Sequence, residues 1–431
     1  MVIRFRKKTT AEWLVLFILV MPFAFSLLID FLQLPSLIKY TLDVAWIGLL
    51  FFWFRLRMGM PNIHVKKLAA IVGTFFLLAL FGFLLNYQSV LFFLWGIRNN
   101  FRFYIFFFSC ICFLRERSID YYLKFFDVMF WLNIPVLIFQ YFVLGKSGDY
   151  LGGIFGTERG CNGYINIFLV IVVTKTLLLY MSNQENFRAT LLKLAAALLV
   201  AALCELKVFF LELIIIIFFS TFLTRFSFRK MWIILGASLG IAMALQVLAL
   251  IFPEFSGWFN PENIWKIATS KRGYTSNNDM NRLTAVSIAL DRFLPSGIDK
   301  IFGLGLGNCD YASFDFLVSP FYKAYWRLNY TWFSTSFLVL ETGIAGLGVY
   351  IYFFVALYFG ANRIRKSETG NVLRCQMAQI LAVISIFIVI YNSSMRTESA
   401  YMMYFILSLP FIRKEHSEIN SDPAVEHSIY K

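Results

Sequence analysis

The sequence predicts an all-α integral membrane protein of about 12 transmembrane helices with one long outer loop that is partly helical. Composition is the first reason: of 431 residues, 59% are hydrophobic and 19% aromatic, with 51 phenylalanines, only 15% charged residues and a mean hydropathy of +0.70. Water-soluble globular chains of this size do not reach such values. The second reason is a succession of apolar windows, most of them close to the roughly 20 residues that a hydrocarbon core requires. The third is that basic residues recur in alternate connections, as cytoplasmic loops demand.

The windows fall near 11–29, 34–54, 67–86, 90–114, 121–144, 163–181, 189–204, 208–224, 229–252, 331–361, 374–391 and 399–412. The amino end, MVIRFRKKTTAEWLVLFILV, has no convincing small-residue cleavage site and reads as an uncleaved first span. With that end cytoplasmic, the inner connections carry Arg4, Arg6, Lys7 and Lys8, then Arg55, Arg57, Lys66 and Lys67, then Arg115, Arg117 and Lys124, and so on to Arg413, Lys414 and Lys431. Both termini are thereby expected in the cytoplasm. The chain divides into helices one to nine over 1–252, an outer loop over 253–330, helices ten to twelve over 331–412 and a tail over 413–431. Within the loop, NRLTAVSIALDRF (281–293) places Leu283, Val286, Leu290 and Phe293 at helical spacing after Asn278 and Asp279, with Pro295 and Gly297 as the stop.

The net charge of +14 could suggest nucleic acid, but positive-inside loops account for most of it, so no nucleic-acid partner is expected. The six cysteines (Cys110, Cys112, Cys161, Cys204, Cys309, Cys375) have no zinc-ligand spacing and read as small packing residues. His64, His416 and His427 all fall in inner segments, and the outer carboxylates form no recognisable cluster. Metal-independent chemistry without a cofactor is the expectation.

The stretch LWGIRNNFRFYIFFF (94–108) sets Arg98, Asn99, Asn100 and Arg102 inside an apolar span. A cation there costs roughly 3 kcal/mol on insertion scales, so it marks a functional site or a wet cavity more often than a structural one. Other polar residues gather on the same side: Asp149, Glu158 and Arg159 in 145–164, Glu205 and Lys207 in CELKVFF (204–210), Arg282, Arg292 and Arg327 in the long loop, and Arg396 in NSSMRTES (392–399). Several cations at one face suit a phosphate-rich lipid headgroup, because guanidinium matches phosphate oxygens as a fork. A recessed Glu205 beside Lys207 could serve as a general base, with Asp149 and Asp279 as alternatives, or the turn could be a plain ion pair. IFGLGLGN (301–308) lacks the strand–helix context of a dinucleotide fingerprint; its glycines read as a segment that approaches a ligand or the membrane face. No internal repeat relates the first six windows to the last six, which argues against a two-half transporter.

RNNFRF, GGIFGTERGCNGY, ELKVFF, Arg282 followed by GLGLGN, and then FLVLETGIAGLG (337–348) with its Glu-x-Gly-x-x-Gly together resemble the O-antigen polymerase and ligase superfamily over about residues 90 to 400. The resemblance implies a metal-independent inverting glycosyltransferase of the bacterial inner membrane. It joins undecaprenyl-diphosphate-linked repeat units into O antigen, capsule or exopolysaccharide, with a flippase and a chain-length regulator as pathway partners. It also implies Arg282 as the foremost catalytic residue, with Arg98, Arg102, Arg159 and Lys207 behind it at the diphosphate; the residue pattern itself adds Glu205 as the candidate base and Arg292 and Arg396 as further binders of the diphosphate and glycan. Ligases of the superfamily carry a histidine before the Glu-x-Gly-x-x-Gly stretch, where this chain reads YTWFSTSF (330–337). That departure favours a polymerase over a ligase, and a transporter or flippase of lipid-linked sugars is the alternative of a different class.

Overall fold

The computed structural model describes residues 9–56, 59–60, 62–224, 235–236, 238–240, 242–243, 246, 279–367 and 370–412. All regular structure among them is helical. The helices named below are α1 (Thr10–Ser26), α2 (Thr41–Arg55), α3 (Ile63–Leu85), α4 (Val90–Phe113), α5 (Glu116–Phe142), α6 (Asn162–Met181), α7 (Phe187–Leu203) and α8 (Lys207–Leu223), followed by α9 (Ala285–Arg292), α10 (Gly297–Phe302), α11 (Pro320–Tyr325), α12 (Ser334–Lys366), α13 (Val372–Tyr391) and α14 (Ala400–Ser408). Seven helical stretches are long and apolar enough to cross a membrane: Thr10–Asp30, Ser36–Arg55, Ile63–Leu85, Glu116–Phe142, Asn162–Met181, Ser334–Lys366 and Val372–Tyr391. Most of the window at 229–252, the loop residues 253–278 and the tail 413–431 lie outside the described residues.

The remaining windows become helices of other kinds. α7 and α8 have 17 residues each, about 25 Å of rise, short of a ~30 Å hydrocarbon core. α4 is 24 residues long, with its arginines and asparagines in the middle. α14 is only nine residues, about 14 Å, and runs beside the second half of α4: Tyr401 meets Phe103 and Phe106, Tyr404 stacks on Phe103, and Phe411 meets Phe107. The segment 392–399 fills the level that a longer last helix would have taken.

Two ends of the bundle are fastened differently. At one end, the Thr9–Glu12 capping box starts α1, Arg115 reaches Glu12 at 3.0 Å, and Arg374 pairs with Glu116 and Asp120. At the other end lie 145–161, 303–333 and 392–399, packed over the helix termini.

The loop helix expected over 281–293 is shorter, Ala285–Arg292; Val286, Leu290 and Phe293 of the expected stripe pack partly buried on the local core, and Leu283 does not. Ala285 and Ala289 are the buried positions, whereas Leu283 is 50% exposed. Gly297 is no stop but the first residue of α10, entered through a Ser296–Asp299 capping box. This region has its own apolar cluster, in which Met280, Ala285, Ala289, Leu294, Cys309 and Tyr330 pack on Phe337, Val339 and Leu340 of α12.

The glycine-rich segment after α10 threads between helices. Gly343 breaks α12 with φ 66° and ψ −172°, which frees carbonyls of the preceding turn. The Leu304 and Gly305 amides donate to the Leu340 and Glu341 carbonyls at 2.7 and 3.1 Å, so the break is closed by protein. Further along, a Cβ on Gly307 (φ 89°) would stand 1.9 Å from the Phe92 carbonyl oxygen, so only glycine passes α4 there. Gln88 holds the segment from the α3–α4 turn, donating to the Leu306 carbonyl at 2.7 Å.

Candidate functional site

Arg98 and Arg102 are four residues apart on α4 and so share one side of the helix, but they address different neighbours. Arg98 faces α2: its guanidinium grips Asp43 through Nε and Nη2 at 3.0 and 2.7 Å, donates to Asn99 Oδ1 at 2.6 Å, and lies over the Tyr40 and Trp95 rings. Asn99 Nδ2 then donates to Asp310 Oδ2 at 2.5 Å, tying the helix to the segment that follows the glycines. Asn100 is buried and turns back onto the Gly96 carbonyl, a bond internal to α4.

Arg102 sits at the midpoint of α4 and is 3% exposed. Its Nη2 reaches Glu398 Oε1 at 3.2 Å and the Arg396 carbonyl at 3.5 Å, while Phe103 and Tyr401 supply ring faces. Nε and Nη1 are buried with no hydrogen-bond partner. A guanidinium has no neutral form to retreat to, so unused donors at this depth call for an acceptor-rich group.

Glu398 is the carboxylate that holds Arg102. The Tyr164 hydroxyl donates to its other oxygen. Burial pushes its carboxyl up, but Arg102 and the Tyr164 hydroxyl outweigh that and hold it down at about 2. Glu398 is therefore a fixed anion, unsuited to accept a proton from a sugar hydroxyl.

Arg396 completes the group. Its guanidinium stacks on Phe337 and stands 3.8 Å from Asp310 Oδ1, a loose ion pair. Burial pulls it below the ordinary arginine value, against the opposing influence of Asp310 and Glu341. Glu341, the acid of the Glu-x-Gly-x-x-Gly stretch, is fully buried and accepts the Cys309 amide at 3.2 Å. Burial also pushes the Cys309 thiol up.

Arg98, Arg102 and Arg396 thus come together through Asn99, Asp310 and Glu398. Arg282 and Arg159 lie on the neighbouring segments. Arg282 donates from Nε to the Tyr391 carbonyl at 3.1 Å and covers the Tyr391 ring at 4.0 Å, while Arg159, exposed, lies over Trp332. These two meet the adjacent residues Trp332 and Phe333. Just beyond, Ser334 is bound through its amide and hydroxyl to the Asn392 carbonyl, where the 392–399 segment begins.

Glu205 and Lys207 lie at the turn between α7 and α8. Glu205 has a left-handed backbone (φ 53°), and its carboxylate lies against Gly148, whose Cβ would meet Oε1 at 3.0 Å. Asp149 is exposed and accepts from Asn162, and Asp279 is buried and accepts from Asn329. Arg292 is exposed over the ring of its own neighbour Phe293, and no contact among the described residues joins it to the arginine group.

Asp43, Asp310, Glu398 and Tyr164 were not foreseen as site residues. Asp43 carried a faint signal as a lone acid early in a span, and Glu398 as the acid two residues beyond Arg396. Among the described residues no group of His, Cys, Asp and Glu could hold a metal ion. No family model matches the sequence and no curated protein matches it, so the resemblance to the polymerase and ligase superfamily rests on the motifs themselves.

Proposed function

We propose that the chain is a polysaccharide polymerase. It extends undecaprenyl-diphosphate-linked repeat units at the outer face of a bacterial inner membrane, with about 12 spans, both termini in the cytoplasm and the 253–330 segment in the periplasm. The observation that carries this reading is Arg102, a deeply buried guanidinium with Nε and Nη1 unused, standing beside the loosely paired Arg396. Phosphate oxygens are the acceptors such donors fit.

In the proposed reaction, an acceptor-sugar hydroxyl attacks the anomeric carbon of the donor. The carbon–oxygen bond to the diphosphate breaks with inversion, and the charge that develops on the leaving diphosphate falls to the arginines. Arg102 and Arg396 hold that diphosphate, Arg98 keeps the Asn99–Asp310 tie in place, and Arg282 and Arg159 bind the glycan side. The hydroxyl proton passes to a carboxylate outside the Arg102–Glu398 pair, with Glu205 first among Glu205, Asp149 and Asp279.

One feature favours the transporter reading: α12 is discontinuous at Gly343, and broken helices line transport sites. Its freed carbonyls, however, are taken by the Leu304 and Gly305 amides and so are not offered to an ion. The test is the surface glycan of a strain lacking the gene, together with its lipid-linked intermediates. Single repeat units in place of a ladder are expected. Full-length polymer left on its lipid carrier means a ligase, and repeats retained at the cytoplasmic face mean a transporter.

A further inference from the structure

A second unusual group lies away from the arginines, where α6, α8 and α13 pack on one another. Glu212, in the second turn of α8, is fully buried. Its Oε1 accepts from Asn166 Nδ2 at 3.1 Å, and Asn166 on α6 is itself 1% exposed. Glu212 Oε2 and Asn166 Oδ1 are both buried without a hydrogen-bond partner. Two acceptor oxygens on paired side chains therefore lack donors at once.

No cation relieves them among the described residues. Of the ionisable groups on the packed helices, Lys175 of α6 is bound to Asp127 and the Leu123 carbonyl, and Tyr164 of α6 to Glu398. Lys193 of α7 pairs with Glu185 and Asp127, and Arg374 of α13 with Glu116 and Asp120. Among the described residues the hydrogen bond to Glu212 is the one from Asn166 Nδ2, and no ion pair reaches it. An ionised carboxylate with a single amide donor in such a place is expensive.

We propose that Glu212 is a proton-binding site in the core of the bundle. One proton taken by Oε2 makes an O–H that donates to Asn166 Oδ1, while Asn166 Nδ2 continues to donate to Oε1. A closed acid–amide pair results, both partnerless oxygens are satisfied, and the only other change is that the carboxyl goes from one negative charge to none. A sodium ion is the weaker occupant, since the two side chains offer it only the two free oxygens. The site is independent of the glycan reading, and it gives the protein a proton carrier within its apolar core, where ionisable groups mark proton and ion pathways.

Infrared spectroscopy of the full chain in lipid nanodiscs at pH 7 tests this. The wild type should show the carbonyl stretch of a protonated carboxylic acid that moves to lower wavenumber in heavy water and is lost in Glu212→Gln. That variant can form the same closed pair as an amide, so its melting temperature should stay within about 2 °C of wild type. Asn166→Leu should retain the band but move it to higher wavenumber as the acid loses its amide partner, which carries the test if Glu212→Gln does not fold. The absence of a protonated band, with carboxylate bands lost in Glu212→Gln instead, overturns the proposal. So does a wild-type melting temperature that rises with sodium over choline in a Glu212-dependent way.

Discussion

Arg374 and Arg102 are equally deep, 5% and 3% exposed, yet they are treated differently. Arg374, at the start of α13, uses both terminal nitrogens: Nη1 on Glu116 and Nη2 on Asp120 and the Glu116 carbonyl. Lys175, near the same end of the bundle, likewise binds two acceptors, Asp127 and a backbone carbonyl. Arg102, at the other end, uses one nitrogen and leaves two. Buried cations shared among several acceptors on a neighbouring helix hold helices together. One held by a single carboxylate and a distant carbonyl, with two donor nitrogens buried and unused, is where we propose that a ligand binds.

The comparison can be broken or sharpened by substitution. The largest effect is expected from Gly307→Ala, which sets a methyl against the Phe92 carbonyl at a positive φ and displaces the segment bearing Asp310 from α4. It should cost about 4 kcal/mol, read as a lower melting temperature together with loss of activity. Glu398→Gln comes next. Because its carboxyl lies at about 2 in the fold against an ordinary 4.5, Glu398 contributes stability that is complete above about pH 4.5 and is lost as pH falls toward 2. That depression is worth roughly 3 kcal/mol. Wild type should therefore lose melting temperature between pH 5 and 3 more steeply than Glu398→Gln, and equal slopes would remove the Arg102–Glu398 pair from the account.

Arg374→Ala should cost about 2 kcal/mol, less than a fully enclosed pair because Asp120 is 70% exposed, and should leave the product ladder of the remaining folded protein unchanged. A shortened ladder would erase the distinction between the two ends. Smallest is Asp43→Asn, which weakens the partly buried Arg98 pair by about 1 kcal/mol and should reduce product length only slightly.

Much of the helical layout was legible because apolar runs are local signals: α1, α3, α5, α6 and α13 lie close to their windows. What escaped depends on residues distant in sequence. Gly343 falls inside a single apolar window, 331–361, but its break is set by the chain at 301–305, whose backbone occupies the space beside it. α14 looked like a whole span because hydropathy counts 399–412 without seeing that 392–399 is needed to meet α4. In the loop, the period suggested Leu283 as an anchor, whereas α9 packs through Ala285 and Ala289, small residues that allow close approach to α12. The arginines were visible as misplaced charges. Their carboxylates were not, since Asp43 and Glu398 are 55 and 296 residues from Arg98 and Arg102, and Asp310 is 211 from Asn99.

The most direct test of the central claim is the glycan ladder of a gene-deleted strain that carries Arg102→Gln, matched in membrane level to wild type and set beside Arg374→Ala. If Arg102 holds the diphosphate of a lipid-linked glycan, Arg102→Gln should accumulate single repeat units, with polymer reduced about 100-fold or more, while Arg374→Ala retains a ladder in proportion to its folded protein. A full ladder from folded Arg102→Gln would contradict the account.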